Sequence, residues 1–236
     1  MNVLITGSSR GIGYQICKLF CKEPGNVVFA VARTASKLDE LATECASFES
    51  GSTLVPLATD LQNDAEIDNM VAKIREHTDN LAVVVNCAGI LYNKPFDFIS
   101  HKELSQMIDT NFTAPFMLIQ KCMPLLRRSP WAHVVNISSM GGFQGSVKFA
   151  GLSGYSASKA AIANLTECLA EEFKDSTIRF NCLALGAVNT EMLQKAFPDY
   201  EVDMPAEKMA KLICKFAISG HEFFNGKVLP IACTTP

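Results

Sequence analysis

Short apolar runs alternate with amphipathic stretches along the whole chain. The runs at 2–6, 26–32, 53–58, 81–87, 132–138, 177–184 and 227–231 are β-prone and nearly continuous in apolar residues, as strands buried on both faces are. Between them, residues 11–23, 35–47, 64–77, 101–127, 155–174 and 205–219 carry apolar positions three and four apart, the spacing of one helix face. This βαβ rhythm predicts an α/β fold: a doubly wound parallel sheet of about seven strands, with helices on both faces, right-handed crossovers and ligands at the carboxyl ends of the strands. No linker, repeat or low-complexity stretch interrupts the 236 residues, so one domain over 1–236 is expected.

The first run, Asn2 to Thr6, passes directly into Gly7-Ser8-Ser9-Arg10-Gly11-Ile12-Gly13 and then into helical spacing through Phe20. A strand, a glycine turn and a helix N-terminus in that order form an anion site. Glycine permits close backbone approach, and the free N–H groups and dipole of the helix attract a pyrophosphate. The spacing G-x-x-x-G-x-G fits the general dinucleotide fingerprint only loosely. Glycines kept for packing alone are the competing explanation. A Rossmann-type nucleotide-binding sheet is the architecture expected.

The second run narrows the cofactor. An NAD-selective site closes this strand with an Asp or Glu on the ribose hydroxyls. Here the strand ends in Ala32, and Arg33 follows with a charge suited to a 2′-phosphate. Arg10, inside the glycine turn, is placed to reach the same group. NADP(H) is therefore expected over NAD(H); two merely solvated charges are the alternative.

Tyr155 and Lys159 lie four positions apart in a helical stretch, which puts a phenol and an ammonium on one face. A free phenol, with a pKa of about 10, exchanges protons poorly near neutrality. A cation beside it stabilises the phenolate and is expected to lower that pKa, making the pair a general acid or base. Alone, the spacing also suits an ordinary exposed helix face.

Together, Thr6-Gly7-x-x-x-Gly11-x-Gly13 and Tyr155-x-x-x-Lys159 resemble the short-chain dehydrogenase/reductase family in its single-domain branch, over nearly the whole chain. The resemblance implies an adenine-contacting Asp60 with Leu61 beside it. It matches Asn86-Cys87-Ala88-Gly89 to the family's N-A-G segment, with Cys87 where Asn is more usual. It implies a catalytic tetrad of Asn111, Ser139, Tyr155 and Lys159, Ser139 being the fourth residue of Asn136-Ile137-Ser138-Ser139. Cofactor contacts are implied for Gly7, Ser9, Arg10, Gly11, Ile12 and Gly13 in the turn, and for Arg33, Asp60, Leu61, Asn86, Ala88 and Gly89. Tyr155, Lys159, Gly186, Val188 and Thr190 complete them.

By the same resemblance, Tyr155 gives its proton to a substrate carbonyl oxygen as hydride reaches the carbon. Ser139 donates a hydrogen bond to that oxygen, Lys159 binds the nicotinamide ribose, and Asn111 holds a water that passes protons to Lys159. Two departures stand out. Leu185-Gly186 replaces the usual Pro-Gly, and Ile231 to Pro236 lacks the usual D-G-G, a segment that relatives use for a tetramer interface. A homodimer or homotetramer is expected, with 101–127 and 155–174 available for a dimer. Sixteen positions separate Ser139 from Tyr155, slightly more than usual, so the Met140 to Gly154 loop is a little long.

Pro115 lies inside the fourth helical stretch. It has no N–H for the carbonyl of Asn111, which leaves that carbonyl open to a relay water; a simple kink is the alternative.

Composition limits other readings. Hydrophobic residues make up 48% and charged residues 19%, a balance suited to a packed core. A net charge of −3 and the lack of a basic run argue against nucleic acid. No apolar stretch reaches about 18 residues and no secretory signal is visible, so a cytoplasmic, non-membrane protein is expected. Nine scattered cysteines fit free thiols, and Cys17 and Cys21 lack the partners of a metal site, so no metal is expected. Tyr92, Phe143, Phe149, Leu193 and Phe197 fall in the segments that would line a pocket, which points to an apolar carbonyl substrate or else to core anchors. A nucleotide-binding sensor or scaffold without turnover is the second function class; the intact tetrad argues against it. The chain is short for the substrate domain of dehydratase or epimerase relatives.

Overall fold

The computed structural model describes residues 1–232; Cys233 to Pro236, and with them most of the expected C-terminal departure, lie outside the described residues. Seven parallel strands form one sheet: β1 (Asn2–Thr6), β2 (Val27–Ala32), β3 (Thr53–Ala58), β4 (Val83–Asn86), β5 (Ala132–Ser139), β6 (Ile178–Leu185) and β7 (Val228–Ile231). Their order is β3-β2-β1-β4-β5-β6-β7. The chain winds outward from β1 in one direction and from β4 in the other, so the crevice above the ends of β1 and β4 is where a ligand fits.

Alternation along the strands divides the core between the two faces. Val3, Ile5, Val28, Ala30, Val83, Val85, Val135 and Ile137 share one apolar cluster with Ile16 and Phe20 of α1 (Gly11–Lys22), while Leu4, Phe29, Val31, Val84 and Val134 share the other. The second cluster is covered by α3 (Asp64–His77) and α5 (Ala114–Leu126). On α1 the buried residues Gly13, Ile16, Cys17, Phe20 and Cys21 follow one stripe at helical spacing. Asn63 starts α3 by accepting from the N–H groups of Ala65 and Glu66. The remaining helices are α2 (Ala35–Ala46), α4 (His101–Ile108), α6 (Ser153–Glu172), α7 (Glu191–Ala196) and α8 (Ala206–Ser219).

Three details differ from the expected elements. The helical stretch 101–127 is not uniform: α4 and α5 are joined by a π-helical turn, Asp109–Thr113, in which the Ala114 N–H bonds the Asp109 carbonyl five residues back. Helix α6 starts at Ser153, two residues before the expected start. Helix α7 was not anticipated, because six residues are too few to show a period.

Candidate active site

The site is assembled at the carboxyl ends of β1, β4, β5 and β6. At the end of β1, Gly7 adopts φ +74°, and a Cβ there would stand 2.9 Å from the Ala88 backbone. Only glycine allows this turn to press against the segment after β4. Thr6 reinforces the contact, its Oγ1 accepting from the N–H groups of Cys87 and Ala88, both at 3.0 Å. The turn then opens into α1, whose N-cap Arg10 makes no side-chain cap bond, so no side chain at that position takes up the first N–H groups of the helix.

Strand β5 brings Ser138 and Ser139, which face differently. The Ser138 hydroxyl is buried and donates to the Lys159 carbonyl at 2.7 Å, a structural bond to α6. Ser139 is partly exposed, and its Oγ accepts from the Gly141 N–H at 3.2 Å. The loop behind it is held by Lys148, whose ammonium donates to the carbonyls of Gly141 (3.0 Å) and Phe143 (2.6 Å) and to Ser146 Oγ (2.8 Å).

Helix α6 presents Tyr155 and Lys159 on one face. Lys159 is only 4% exposed and donates to the Ile137 carbonyl at 2.8 Å. No carboxylate pairs with it among the described residues, and burial pushes its pKa below the usual lysine value. Its Nζ lies 5.9 Å from the centre of the Tyr155 ring. The expected lowering of the Tyr155 pKa is not what the site produces. Burial dominates and drives the phenol up to about 12, with a hydrogen bond from Ser139 pulling the other way.

Asn111, in the π-helical turn, is 2% exposed. Its Oδ1 accepts from the Ile90 N–H at 2.9 Å, while its Nδ2 donates to the Ile90 carbonyl at 3.0 Å and to Ser158 Oγ at 2.9 Å. Ser158 in turn donates to the Tyr155 carbonyl at 2.7 Å. A Cβ built on Gly89 would stand 3.2 Å from Asn111 Oδ1 and 3.3 Å from Lys159 Nζ, so both side chains lie against that glycine. Ser158 was missed in the sequence, although its place three residues after Tyr155 puts it on the same helix face.

The other expected residues surround this core. Asn86 is buried and donates to Asn136 Oδ1 at 2.8 Å across β4 and β5, which makes it a brace between strands. The Asp60 carboxylate accepts from the Gln62 N–H at 3.1 Å. Arg33 is exposed after β2, with no ion pair among the described residues. Arg10 does not share its freedom: Nη1 pairs with Glu191 Oε2 at 2.9 Å. Val188 is buried, and Thr190 caps α7 through the Leu193 N–H at 3.3 Å. Of the expected pocket residues, Tyr92 is tied to Gln106 Oε1 at 2.8 Å, and Phe143, Leu193 and Phe197 are half-buried. A groove of about 500 Å³ between α1 and α8 and another of about 320 Å³ beside α2 contain none of the tetrad. Converging polar atoms, not cavity size, mark the site.

Comparison with known proteins identifies the family. The family model for short chain dehydrogenases matches residues 1–201. The chain belongs to that family. As a short-chain dehydrogenase it is 29% identical to a 3-oxoacyl-[acyl-carrier-protein] reductase of Chlamydia trachomatis, covering 97% of this chain and 94% of the relative. It is 33% identical to a benzil reductase ((S)-benzoin forming) of Saccharomyces cerevisiae, covering 80% and 72%. Among solved structures, a Shigella flexneri short chain dehydrogenase complexed with NADP superposes with a TM-score of 0.86 at 26% identity, covering 97% of this chain and 95% of that one. Among the described residues, no helix of this short-chain dehydrogenase is long and apolar enough to cross a membrane.

Proposed function

We propose that this short-chain dehydrogenase is an NADPH-dependent reductase of ketones, aldehydes or 3-oxoacyl compounds, with Tyr155 as proton donor. The observation that carries this is the convergence of four side chains: Asn111 bonds Ser158, Ser158 bonds the Tyr155 main-chain carbonyl, and Lys159 and Ser139 lie against the Tyr155 ring and hydroxyl. The relatives named as 3-oxoacyl and benzil reductases support the substrate class. The residues present fit the cofactor: a helix N-terminus without a side-chain cap for the pyrophosphate, no carboxylate at the end of β2, and an exposed Arg33, unpaired among the described residues, for a 2′-phosphate.

When bound, NADPH supplies the hydride. The chain handles the proton and the oxygen. Tyr155 keeps its proton throughout the neutral range, because burial raises its pKa to about 12, so it stands as the neutral acid that reduction needs. Ser139 accepts from Gly141 and directs its own hydrogen at the Tyr155 oxygen, from which it would turn to the substrate oxygen as charge develops there. Lys159 uses one N–H on Ile137 and has two left for the ribose. The Asn111 side chain is spent on Ile90 and Ser158, so a proton-relay water beside it would be held by the main-chain carbonyl, to which Pro115, four residues on, offers no N–H. We place the protein in the cytoplasm as a homodimer or homotetramer. The eight described cysteines are free, which suits a reducing compartment, and α4 and α5 carry the exposed Leu104 and Phe116.

Purified protein mixed with NADPH and screened against aldehydes, ketones, quinones and 3-oxoacyl thioesters should oxidise the nicotinamide with at least one class. Tyr155→Phe should retain NADPH binding and lose reduction, since only the transferable proton is removed. Unchanged turnover in that variant would remove the proposed mechanism.

A further inference from the structure

Resting on the NADPH reading, we propose that Glu191 is a specificity-determining residue whose carboxylate occupies Arg10 in place of the cofactor's 2′-phosphate and so restrains the preference for NADP over NAD. The two ends of the pair come from opposite parts of the chain. Arg10 stands at the N-cap of α1, after β1, and Glu191 opens α7, after β6. Arg10 Nη1 and Glu191 Oε2 are 2.9 Å apart. The same segments touch again one residue along, where Thr190 Cγ2 lies 3.6 Å from the position of a Gly11 Cβ. The contact therefore closes the glycine turn against the start of α7.

Both side chains are open to solvent, at 54% and 59% exposure, so an incoming anion can compete for the guanidinium. A phosphate monoester is the stronger competitor: it carries up to two charges against one and offers three oxygens to the guanidinium fork. A phosphate held by Arg33 would lie near the turn, because Ser8 donates its N–H to the Val31 carbonyl of β2 at 3.1 Å, two residues before Arg33. Arg33 has no ion pair among the described residues and can take the phosphate at once. Arg10 must first give up Glu191. The two arginines thus contribute unequally, and Glu191 sets the difference.

Calorimetric titration of NADP⁺ and NAD⁺ into the wild type, Glu191→Gln, Arg10→Gln and the double variant tests this. Removing the carboxylate should tighten NADP⁺ about five-fold, the worth of one exposed ion pair, and shift NAD⁺ less than about two-fold. In the Arg10→Gln background the Glu191→Gln change should have no effect on NADP⁺. Equal tightening of both dinucleotides, or none for NADP⁺, would overturn the proposal. A wild type that favours NADP⁺ while Glu191→Gln is silent sinks this inference alone; a wild type that binds neither dinucleotide sinks the NADPH reading and this inference with it.

Discussion

The Tyr155 phenol sits between influences of opposite sign, and their balance depends on depth more than on the nearby ammonium. Lys159 is itself buried, its nearest hydrogen bond goes to Ile137, and burial depresses its own charge. Chain spacing reveals that a phenol and an amine share a face, but it carries no information on dielectric. The placing of Ser139 at a strand end and of Tyr155 and Lys159 on one helix face was legible, because short motifs tie each to its own element. The partner of Arg10 was not, since Glu191 is 181 residues away and only the closed fold brings them together. Arg33 is the opposite case, placed by its own strand. Arg33→Ala should weaken NADPH binding by about 1.5–3 kcal/mol, the range of a charge-assisted hydrogen bond, and leave NADH nearly unchanged. Equal losses for both, measured by titration, would contradict the phosphate assignment.

Elements register what single residues do to their neighbours. Pro115 is the second residue of α5 and cannot supply an N–H to Asn111, and the chain widens into a π-helical turn just before it. The amphipathic pattern over 101–127 reads as one helix because an extra residue in a single turn barely shifts a period of 3.6. Pro115→Ala would restore the missing donor and should draw the turn toward regular α-helix. Proton transfer should then slow, seen as a lower kcat with a larger solvent isotope effect, while NADPH affinity stays nearly constant. The stability gain should be modest, below about 1 kcal/mol, because the first turn of a helix tolerates proline. Unchanged kcat and isotope effect would leave Pro115 as a kink alone.

At the scale of the whole molecule, the sheet was readable from the alternation of apolar runs with helical stretches, yet the apolar run that predicts β5 conceals a titratable group. His133 is fully buried. Its Nδ1 bonds the Ala217 carbonyl at 3.1 Å and its Nε2 meets the Asn181 amide at 3.0 Å, with Asn181 donating also to Phe224 at 2.9 Å. One imidazole thus ties β5 to β6, α8 and the approach to β7, through partners 48 and 84 residues away that no local pattern reveals. Burial first, then the neighbouring His221, pushes its pKa down to about 4. The unfolded chain therefore binds this proton before the folded one as pH falls from about 6.5. Its contribution is complete above about pH 6.5 and lost as pH falls through about 4, roughly 3 kcal/mol over the window. Urea unfolding of the wild type at pH 7, 5.5 and 4 should show that decline. His133→Asn should begin less stable at pH 7, since it loses packing, but should lose less on acidification. A decline as steep in the variant as in the wild type would assign the acid sensitivity to other groups.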